Sequence, residues 1–180
     1  MDHRDRGLAG VIAAGAVNPT QRRRIADGDL TLFIRDLGAE APVRIAYEYW
    51  QSISRAGALP RRAAIDPVEL GSRVLPHVIL IDVEPDFRFR YRLIGNAVLQ
   101  IFGVNYTGRY IDELGLGAVF DEIIAFYRHV CERRNPVLLD GTYERNYRRQ
   151  FHFRRLAMPL QNEAGEIDSL FCIFEQTGRQ

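Results

Sequence analysis

The chain has 180 residues, of which 47% are hydrophobic, and a formal net charge of +1 at pH 7. This length fits one domain with an extension, and the apolar fraction can form a buried core, which excludes an intrinsically disordered chain. The balanced charge gives no general attraction to nucleic acid or to an acidic membrane surface. All 24 basic residues are arginines, which we interpret mainly as a compositional bias of the genome.

The two cysteines, Cys131 and Cys172, lie far apart in sequence. They fit neither a disulfide framework nor a CxxC metal site, so we expect two buried thiols in a reducing cytoplasm. No apolar run approaches the roughly 18 residues that a membrane-spanning helix needs. The alanine-rich stretch at residues 8–17 is a poor signal peptide because acidic residues dilute its basic start, and the expected location is therefore cytoplasmic.

The first 40 residues carry the weakest pattern, and we interpret them as a poorly defined N-terminal extension that packs on the domain or on a second copy of it. Within it, residues 30–37 fit a short strand or a helical turn. Residues 41–56 predict a helix whose apolar stripe includes Tyr47 and Trp50. Both side chains are candidates for a dimer contact, and the alternative is that Trp50 anchors this helix on its own domain.

A second helix and a hairpin follow. Asp66 and Pro67 predict the N-cap and the first residue of a helix that ends near residue 75. Residues 77–83 form a β-branched run between prolines, which is typical of a buried strand. Residues 87–93 alternate aromatic or leucine side chains with arginine, as a half-buried strand does, and they complete the hairpin.

The second half of the chain predicts two more helices and three strands. Residues 97–102 form a short helix that ends at Gly103, and residues 118–134 form a longer one that Pro136 ends. The strands cover residues 137–143, 150–160 and 167–175. Short turns join these strands, as in an antiparallel meander.

This order of elements, together with several short motifs, resembles a PAS domain. The strand-to-helix hinge of that superfamily is similar to Tyr91-Arg92-Leu93-Ile94-Gly95-Asn96, followed by Phe102-Gly103 and Thr107-Gly108. Its closing hairpin is similar to Leu156-Ala157-Met158-Pro159-Leu160 followed by residues 167–175. The upstream motifs Tyr49-Trp50, Leu59-Pro60-Arg61-Arg62 and Ile65-Asp66-Pro67 resemble the small stand-alone PAS family common in alphaproteobacteria.

The resemblance implies an α+β fold with a PAS-like five-stranded antiparallel sheet, helices on one face and an N-terminal helical extension. It implies an extension over residues 1–40 and a PAS-like domain, with its N-terminal flanking helices, over residues 41–176. It also implies a non-enzymatic sensory or protein-interaction module of bacterial signalling without an output domain of its own. Such a module works with a signalling protein partner and as a homodimer, and it can hold a small molecule between sheet and helices.

The pocket that this resemblance implies would be lined by the hinge strand, the short helix, the turn after it and the long helix. The candidates are Phe89, Tyr91, Leu93, Ile101, Phe102, Tyr106, Tyr110, Ile123 and Tyr127. Each of these side chains also fits an ordinary hydrophobic core. Arg92 and Asn96 are the polar candidates at the hinge, and Arg92 suits either a nearby acid or an anionic ligand or partner.

The cofactor stays unknown from the sequence. Residues 103–108 contain no cysteine, which argues against the covalent flavin chemistry of photosensory PAS domains. His129 flanks the apolar stripe of the long helix, where a lone histidine is more often structural or solvated than a haem ligand. His77 and His152 lie in strand patterns without a second ligand in register, so we expect no metal site.

Arginines on the predicted strand faces raise the question of a nucleic-acid surface. They are Arg88, Arg90, Arg92, Arg145, Arg148, Arg149, Arg154 and Arg155. We favour solvated faces paired with nearby acids, because the aromatic residues of 87–93 lie on the opposite face from the arginines. We therefore expect no nucleic-acid partner and no membrane partner.

Two other functions stay open. One is a small isomerase-like or dehydratase-like enzyme on a curved α+β sheet, which a buried acid without a partner, such as Asp140, would favour. The other is a dimerisation module whose core is already filled and which binds no ligand.

Overall fold

The computed structural model describes residues 23–55, 57–115, 118–145 and 149–179. The strands are β1 (Arg23–Ala26), β2 (Val78–Glu84), β3 (Arg88–Ile94), β4 (Val137–Arg145), β5 (Arg149–Gln161) and β6 (Ile167–Arg179). The α-helices are α1 (Asp27–Asp36), α2 (Pro42–Ile53), α3 (Pro67–Val74), α4 (Asn96–Phe102) and α5 (Ala118–Arg133). Short 3-10 helices cover Arg62–Ala64, Leu75–His77, Pro85–Phe87 and Ile111–Glu113.

The strands form one antiparallel sheet in the order β1-β4-β5-β6-β2-β3. This confirms the expected α+β class and the PAS-like hairpin and meander. The expected number of five strands is too low, because β1 adds a sixth by pairing with Val137 to Asp140 of β4. Sequence periodicity could not find β1, since it has four residues and two of them are arginines.

The predicted helix starts and ends follow local chemistry. The Asp66 carboxylate accepts a hydrogen bond of 2.8 Å from the backbone N–H of Val68, and Pro67 occupies the first turn of α3, as the N-cap pattern predicts. Helix α4 ends at Gly103, whose φ of 73° is left-handed, a conformation that glycine adopts without steric cost. Residues 30–37, which fitted a strand or a helical turn, lie almost wholly within α1.

Strand β3 contains a bulge that reverses which side chains point inward. Leu80 is opposite Leu93 and Ile81 is opposite Tyr91, so Arg92 is an additional residue on β3. Before the bulge Phe89 and Tyr91 are buried, whereas beyond it Ile94 is buried and Leu93 is 43% exposed. The simple alternation of the sequence therefore assigns Leu93 to the wrong face.

Hydrophobic clusters lie on both faces of the sheet. We call the face that carries Ile79, Phe89 and Ala157 the inner face, and it is covered by α4 and α5. The face that carries Leu156 and Phe171, which we call the outer face, is covered by α1, α2 and α3. The expectation of helices on one face is therefore wrong, because apolar residues alternate onto both sides of β5 and β6 and each side needs a cover.

At Gly95, between β3 and α4, the neighbouring backbone leaves no room for a side chain. Its backbone N–H donates a hydrogen bond of 2.8 Å to the carbonyl of Val78. A Cβ atom at this position would lie 2.4 Å from the carbonyl oxygen of Pro76 and 2.6 Å from that of Leu75. The backbone φ is −69°, so close approach of the backbone, and not an unusual conformation, requires glycine here.

The segment after α4 returns to β3. The backbone N–H of Tyr91 donates to the carbonyl of Arg109 at 3.0 Å, and the N–H of Gly108 donates to the carbonyl of Tyr91 at 2.6 Å. These bonds place the turn against the free side of β3. In the part of the chain that the structure describes, no helix has the length and apolar composition needed to span a membrane.

Candidate functional site

Six of the nine predicted pocket residues meet between the inner face and helices α4 and α5. They are Phe89, Tyr91, Phe102, Tyr106, Ile123 and Tyr127, and none is more than 9% exposed. Ile101 is partly buried and packs against the same cluster. The structure therefore brings together residues that are distant in sequence, on one strand, a short helix, a turn and a long helix.

The interior is rich in aromatic rings that contact one another. The ring centroids of Phe89 and Tyr127 are 5.5 Å apart, and those of Phe102 and Phe174 are 5.9 Å apart. Tyr91 stacks on Tyr106 with centroids 6.2 Å apart and an interplanar angle of 26°. These distances are those of favourable aromatic pairs. Any small molecule held here would be surrounded mainly by aromatic and aliphatic carbon.

Two predicted pocket residues lie elsewhere. Leu93 faces away from the interior because of the bulge at Arg92. The hydroxyl of Tyr110 donates to the Glu84 carboxylate, with both oxygens at 3.0 Å, and the Arg88 guanidinium lies 3.7 Å above the Tyr110 ring centroid. Tyr110 therefore belongs to a charged cluster at the edge of β3.

The hinge residues Arg92 and Asn96 do not face the interior. Arg92 lies 3.6 Å from the carboxylate of Asp82, which is the first of its two expected roles. Asp82 also contacts Arg62 at 3.3 Å and Arg90 at 3.1 Å. Asn96 is exposed at the start of α4.

Tyr47 and Trp50, the predicted dimer contacts, lie inside the same chain. They are 6% and 8% exposed, and the indole N–H of Trp50 donates to the Pro159 carbonyl at 3.2 Å. The Tyr47 hydroxyl is 3.1 Å from the Thr31 hydroxyl. The dimer-contact assignment is therefore corrected, because both side chains fix α2 on the outer face. For Trp50 the structure agrees with the alternative of an anchor on its own domain.

The sequence interpretation missed a charged residue of the interior, Arg155. It shares the inner face with Phe153 and Ala157 on β5, and it is only 6% exposed. Its guanidinium carbon lies 5.1 Å from the Phe174 ring centroid and 6.0 Å from that of Tyr127. The expectation of a solvated Arg155 is wrong. Arg155 alternates with Phe153 and Ala157 on one side of β5, and this pattern is the sequence signal that could have indicated its burial.

The neighbouring Arg154 points to the outer face and meets two carboxylates. Its guanidinium lies 3.0 Å from Glu175 and 3.6 Å from Asp140. Asp140 also lies 2.9 Å from the imidazole of His152. Asp140 is therefore not the unpartnered buried acid that would favour an enzyme.

Burial keeps the acidic hydroxyl and thiol groups near Arg155 in their neutral form. It raises the pKa of Tyr91 to about 12 and the pKa of Tyr127 well above its ordinary value. It likewise raises the pKa of the Cys172 thiol to about 12. The positive charge of Arg155 acts in the opposite direction on all three groups but is the smaller effect.

The predicted histidines form no shared centre. His77 is 3.1 Å from the carbonyl of Phe174, and His129 is half-buried on α5. Within the ranges that the structure describes, no group of three or more histidine, cysteine, aspartate or glutamate residues is arranged to hold a metal ion.

The fold and the site define an α+β domain with one antiparallel sheet and an enclosed aromatic interior beneath a short and a long helix. A family model described as the PAS domain matches residues 39–175. The chain therefore belongs to the PAS domain family, as its motifs suggested. No curated protein matches the chain.

Several solved structures are similar to this chain. One is the PAS domain of BvgS from Bordetella pertussis, with 22% identity, a TM-score of 0.48, and coverage of 57% of this chain and 78% of that one. Another is an RNA-binding light-oxygen-voltage receptor, with 14% identity and a TM-score of 0.48, over 94% of this chain and 47% of that one. The light-state Aureochrome1 domain shares 12% identity at a TM-score of 0.42, over 58% of this chain and 83% of that one.

Proposed function

We propose that the chain is a sensory or protein-interaction module that holds a small molecule between the inner face and helices α4 and α5. The observation that carries this proposal is the convergence of six predicted pocket residues and the unpredicted Arg155 on one enclosed interior. An interior of aromatic carbon with a few polar groups is the usual composition of a small-molecule site. Membership of the PAS family supports the same role.

The proposal includes a route from ligand to partner. Helix α4 and the turn after it contribute Phe102 and Tyr106 to the interior, and the same segment continues to exposed residues such as Val104 and Arg109. A ligand that shifts these two rings would also shift the surface beside them. We propose that a signalling protein, or a second copy of the chain in a homodimer, recognises that surface, and that the module works in the cytoplasm.

Native mass spectrometry tests the ligand. Protein purified gently from its source should show an additional mass that disappears when the same sample is denatured. An absorbance scan beyond about 300 nm on that sample distinguishes flavin or haem from a colourless ligand. Identical masses before and after denaturation, together with no thermal stabilisation by any compound of a small-molecule panel, would favour the filled-core dimerisation module instead.

Light scattering on the full chain tests the homodimer separately. A mass of twice the 20.6 kDa of one chain at micromolar concentration is the expected result. A monomer at every concentration would leave a heterologous protein as the proposed partner.

A further inference from the structure

Within the described ranges of the chain, the interior contains a positive charge without a negative partner. Arg155 is 6% exposed, and its Nε and Nη1 atoms are buried without a hydrogen-bond acceptor among the residues that the structure describes. The hydroxyl of Tyr127, in the same interior, is also buried without a hydrogen-bond partner in the described part of the chain. Buried polar groups in folded proteins nearly always have partners, so each of these atoms requires an explanation.

The cross-strand neighbours of Arg155 cannot balance its charge. On one side it is opposite Leu139 and on the other side it is opposite Phe174. The adjacent Arg154, in contrast, is opposite Asp140 and Glu175, which both pair with it on the outer face. The carboxylates of β4 and β6 nearest to this point therefore face away from Arg155.

The other interactions of Arg155 are too weak to replace a counter-ion. Its contacts with the rings of Phe174 and Tyr127 are cation–π contacts. The stabilisation from such contacts is smaller than the free-energy cost of burying an unpaired charge. Tyr91, Tyr127 and Cys172 stay protonated near neutral pH because burial raises the pKa of each. None of them supplies a negative charge.

We propose that Arg155, assisted by the hydroxyl of Tyr127, binds the carboxylate of an apolar acid in this interior. The inference rests on the proposed function and names the chemical class of its ligand. A carboxylate carries one negative charge, which matches the single buried cation, and its oxygens accept hydrogen bonds from both guanidinium and hydroxyl donors. The body of the acid is apolar because Arg155 contacts the rings of Tyr127 and Phe174 within the hydrophobic cluster that also contains Phe89, Tyr91 and Phe102.

A phosphate fits less well. Near neutral pH a phosphate monoester carries between one and two negative charges, and the second charge would lie among aromatic side chains without a cation. Chloride matches the charge but has no apolar surface to contact the surrounding aromatic side chains.

Calorimetric titration of the full chain tests the inference. Acetate, butyrate, octanoate and benzoate are compared with butyramide, octanamide and benzamide at pH 7 and constant ionic strength. We expect at least one acid to bind while its amide does not. Replacing Arg155 by Met should weaken that acid by about tenfold or more, the loss expected for a charge-assisted hydrogen bond, and Tyr127→Phe should weaken it less.

Two matched variants keep the result interpretable. Arg92→Met removes an arginine that is 50% exposed and faces Asp82, and it should bind the acid like the unchanged chain. Arg155→Lys keeps the charge and should retain part of the affinity. Circular dichroism confirms that each variant is folded.

Two outcomes would overturn the inference, and they differ in what they imply for the proposed function. If amides bind as tightly as acids, or if Arg155→Met binds the acid unchanged, a ligand site exists but recognises no carboxylate. If no compound binds and the purified chain carries no additional mass, the ligand site itself is refuted.

Discussion

The two faces of the sheet differ in whether their buried charged side chains have partners of opposite charge. On the outer face, the charged side chains at the core have partners of opposite charge: Arg154 lies between two carboxylates and Asp82 meets three arginines. Among the described residues Arg154 Nε and Asp140 Oδ1 make no regular hydrogen bond, but both groups belong to ion pairs. The indole N–H of Trp50 is bonded to the Pro159 carbonyl. On the inner face, Arg155 and Tyr127 bury polar atoms that have no acceptor among the described residues.

This difference separates a structural face from a candidate binding face. The adjacent residues Arg154 and Arg155 lie on opposite faces of β5. Arg154 is therefore surrounded by carboxylates and Arg155 by aromatic rings. Mutations on the face whose charges are paired within the chain should mainly reduce stability. Mutations of the unpaired polar residues on the inner face should mainly reduce ligand binding.

The largest expected effect is on the outer face. Trp50→Ala should lower the free energy of unfolding by about 4 kcal/mol, because it removes a large buried ring and a hydrogen bond that fixes α2 on the sheet. Urea unfolding at pH 7 measures it. The variant should still bind the acid of the interior as the unchanged chain does. A loss below about 1 kcal/mol would show that α2 is not anchored by this residue.

Gly95→Ala tests the junction that links the two faces. The new methyl group would overlap the backbone carbonyls of Pro76 and Leu75, and since backbone atoms cannot rotate away, we expect a loss of about 3 kcal/mol. Gly28→Ala is the matched control, because space is open around Gly28 in α1. That change should stabilise the chain by about 0.5 kcal/mol. Equal effects of the two substitutions would contradict the close approach at Gly95.

The adjacent arginines give the most direct comparison. Arg154→Met leaves Asp140 and Glu175 without their shared cation and should cost about 2 kcal/mol at pH 7. Arg155→Met removes an unpaired buried charge and should change stability by less than about 1 kcal/mol, or raise it. Equilibrium unfolding of both variants without added ligand decides between them. If Arg155→Met is the more destabilising variant, a partner within the chain balances Arg155.

The smallest expected effect is a pH dependence of the inner face. The pKa of Tyr91 is about 12 in the fold against an ordinary value of 10.0, so above pH 10 the unfolded chain loses a proton that the folded chain keeps. Stability is therefore fully present below pH 10 and falls as pH rises toward 12, by about 1.4 kcal/mol per pH unit for each such group.

Unfolding free energies at pH 9, 10 and 11 measure this slope. Tyr91→Phe should make the slope smaller by the contribution of one ionisable group, because phenylalanine has no hydroxyl proton to lose. The same slope in both chains would show that Tyr91 ionises alike in the folded and unfolded states.

The sequence was sufficient for most of the secondary structure and for the family. The helix stripes, the N-cap at Asp66 and the prolines around β2 are local signals, and each marks an element within a few residues of its position in the structure. Residues of β3, α4 and α5 share one hydrophobic cluster, and the pocket assigned to them from the sequence stays a prediction. Local periodicity specifies such features because neighbouring residues alone determine them.

The remaining features depend on contacts between distant residues. The bulge at Arg92 shifts the inward–outward alternation of β3 and turns Leu93 outward. No residue type in this part of the sequence indicates a bulge. Strand β1 is stabilised by pairing with β4, more than a hundred residues away. Arg155 was grouped with the solvated strand arginines. Its position in phase with Phe153 and Ala157 indicated burial, but the helices that cover that face are set by distant contacts.

The pairing of β1 and of the turn after α4 has a further consequence, for association between molecules. A free edge strand offers unpaired N–H and C=O groups to any extended chain and is a common start of aggregation. Here β1 occupies part of the β4 edge, and the backbone of Gly108 and Arg109 occupies part of the β3 edge. The β3 end of the sheet is therefore partly blocked by the chain itself, and the other end is β1, an edge strand of only four residues. A blocked edge and a short edge both favour partners that bind through side chains over partners that add a strand.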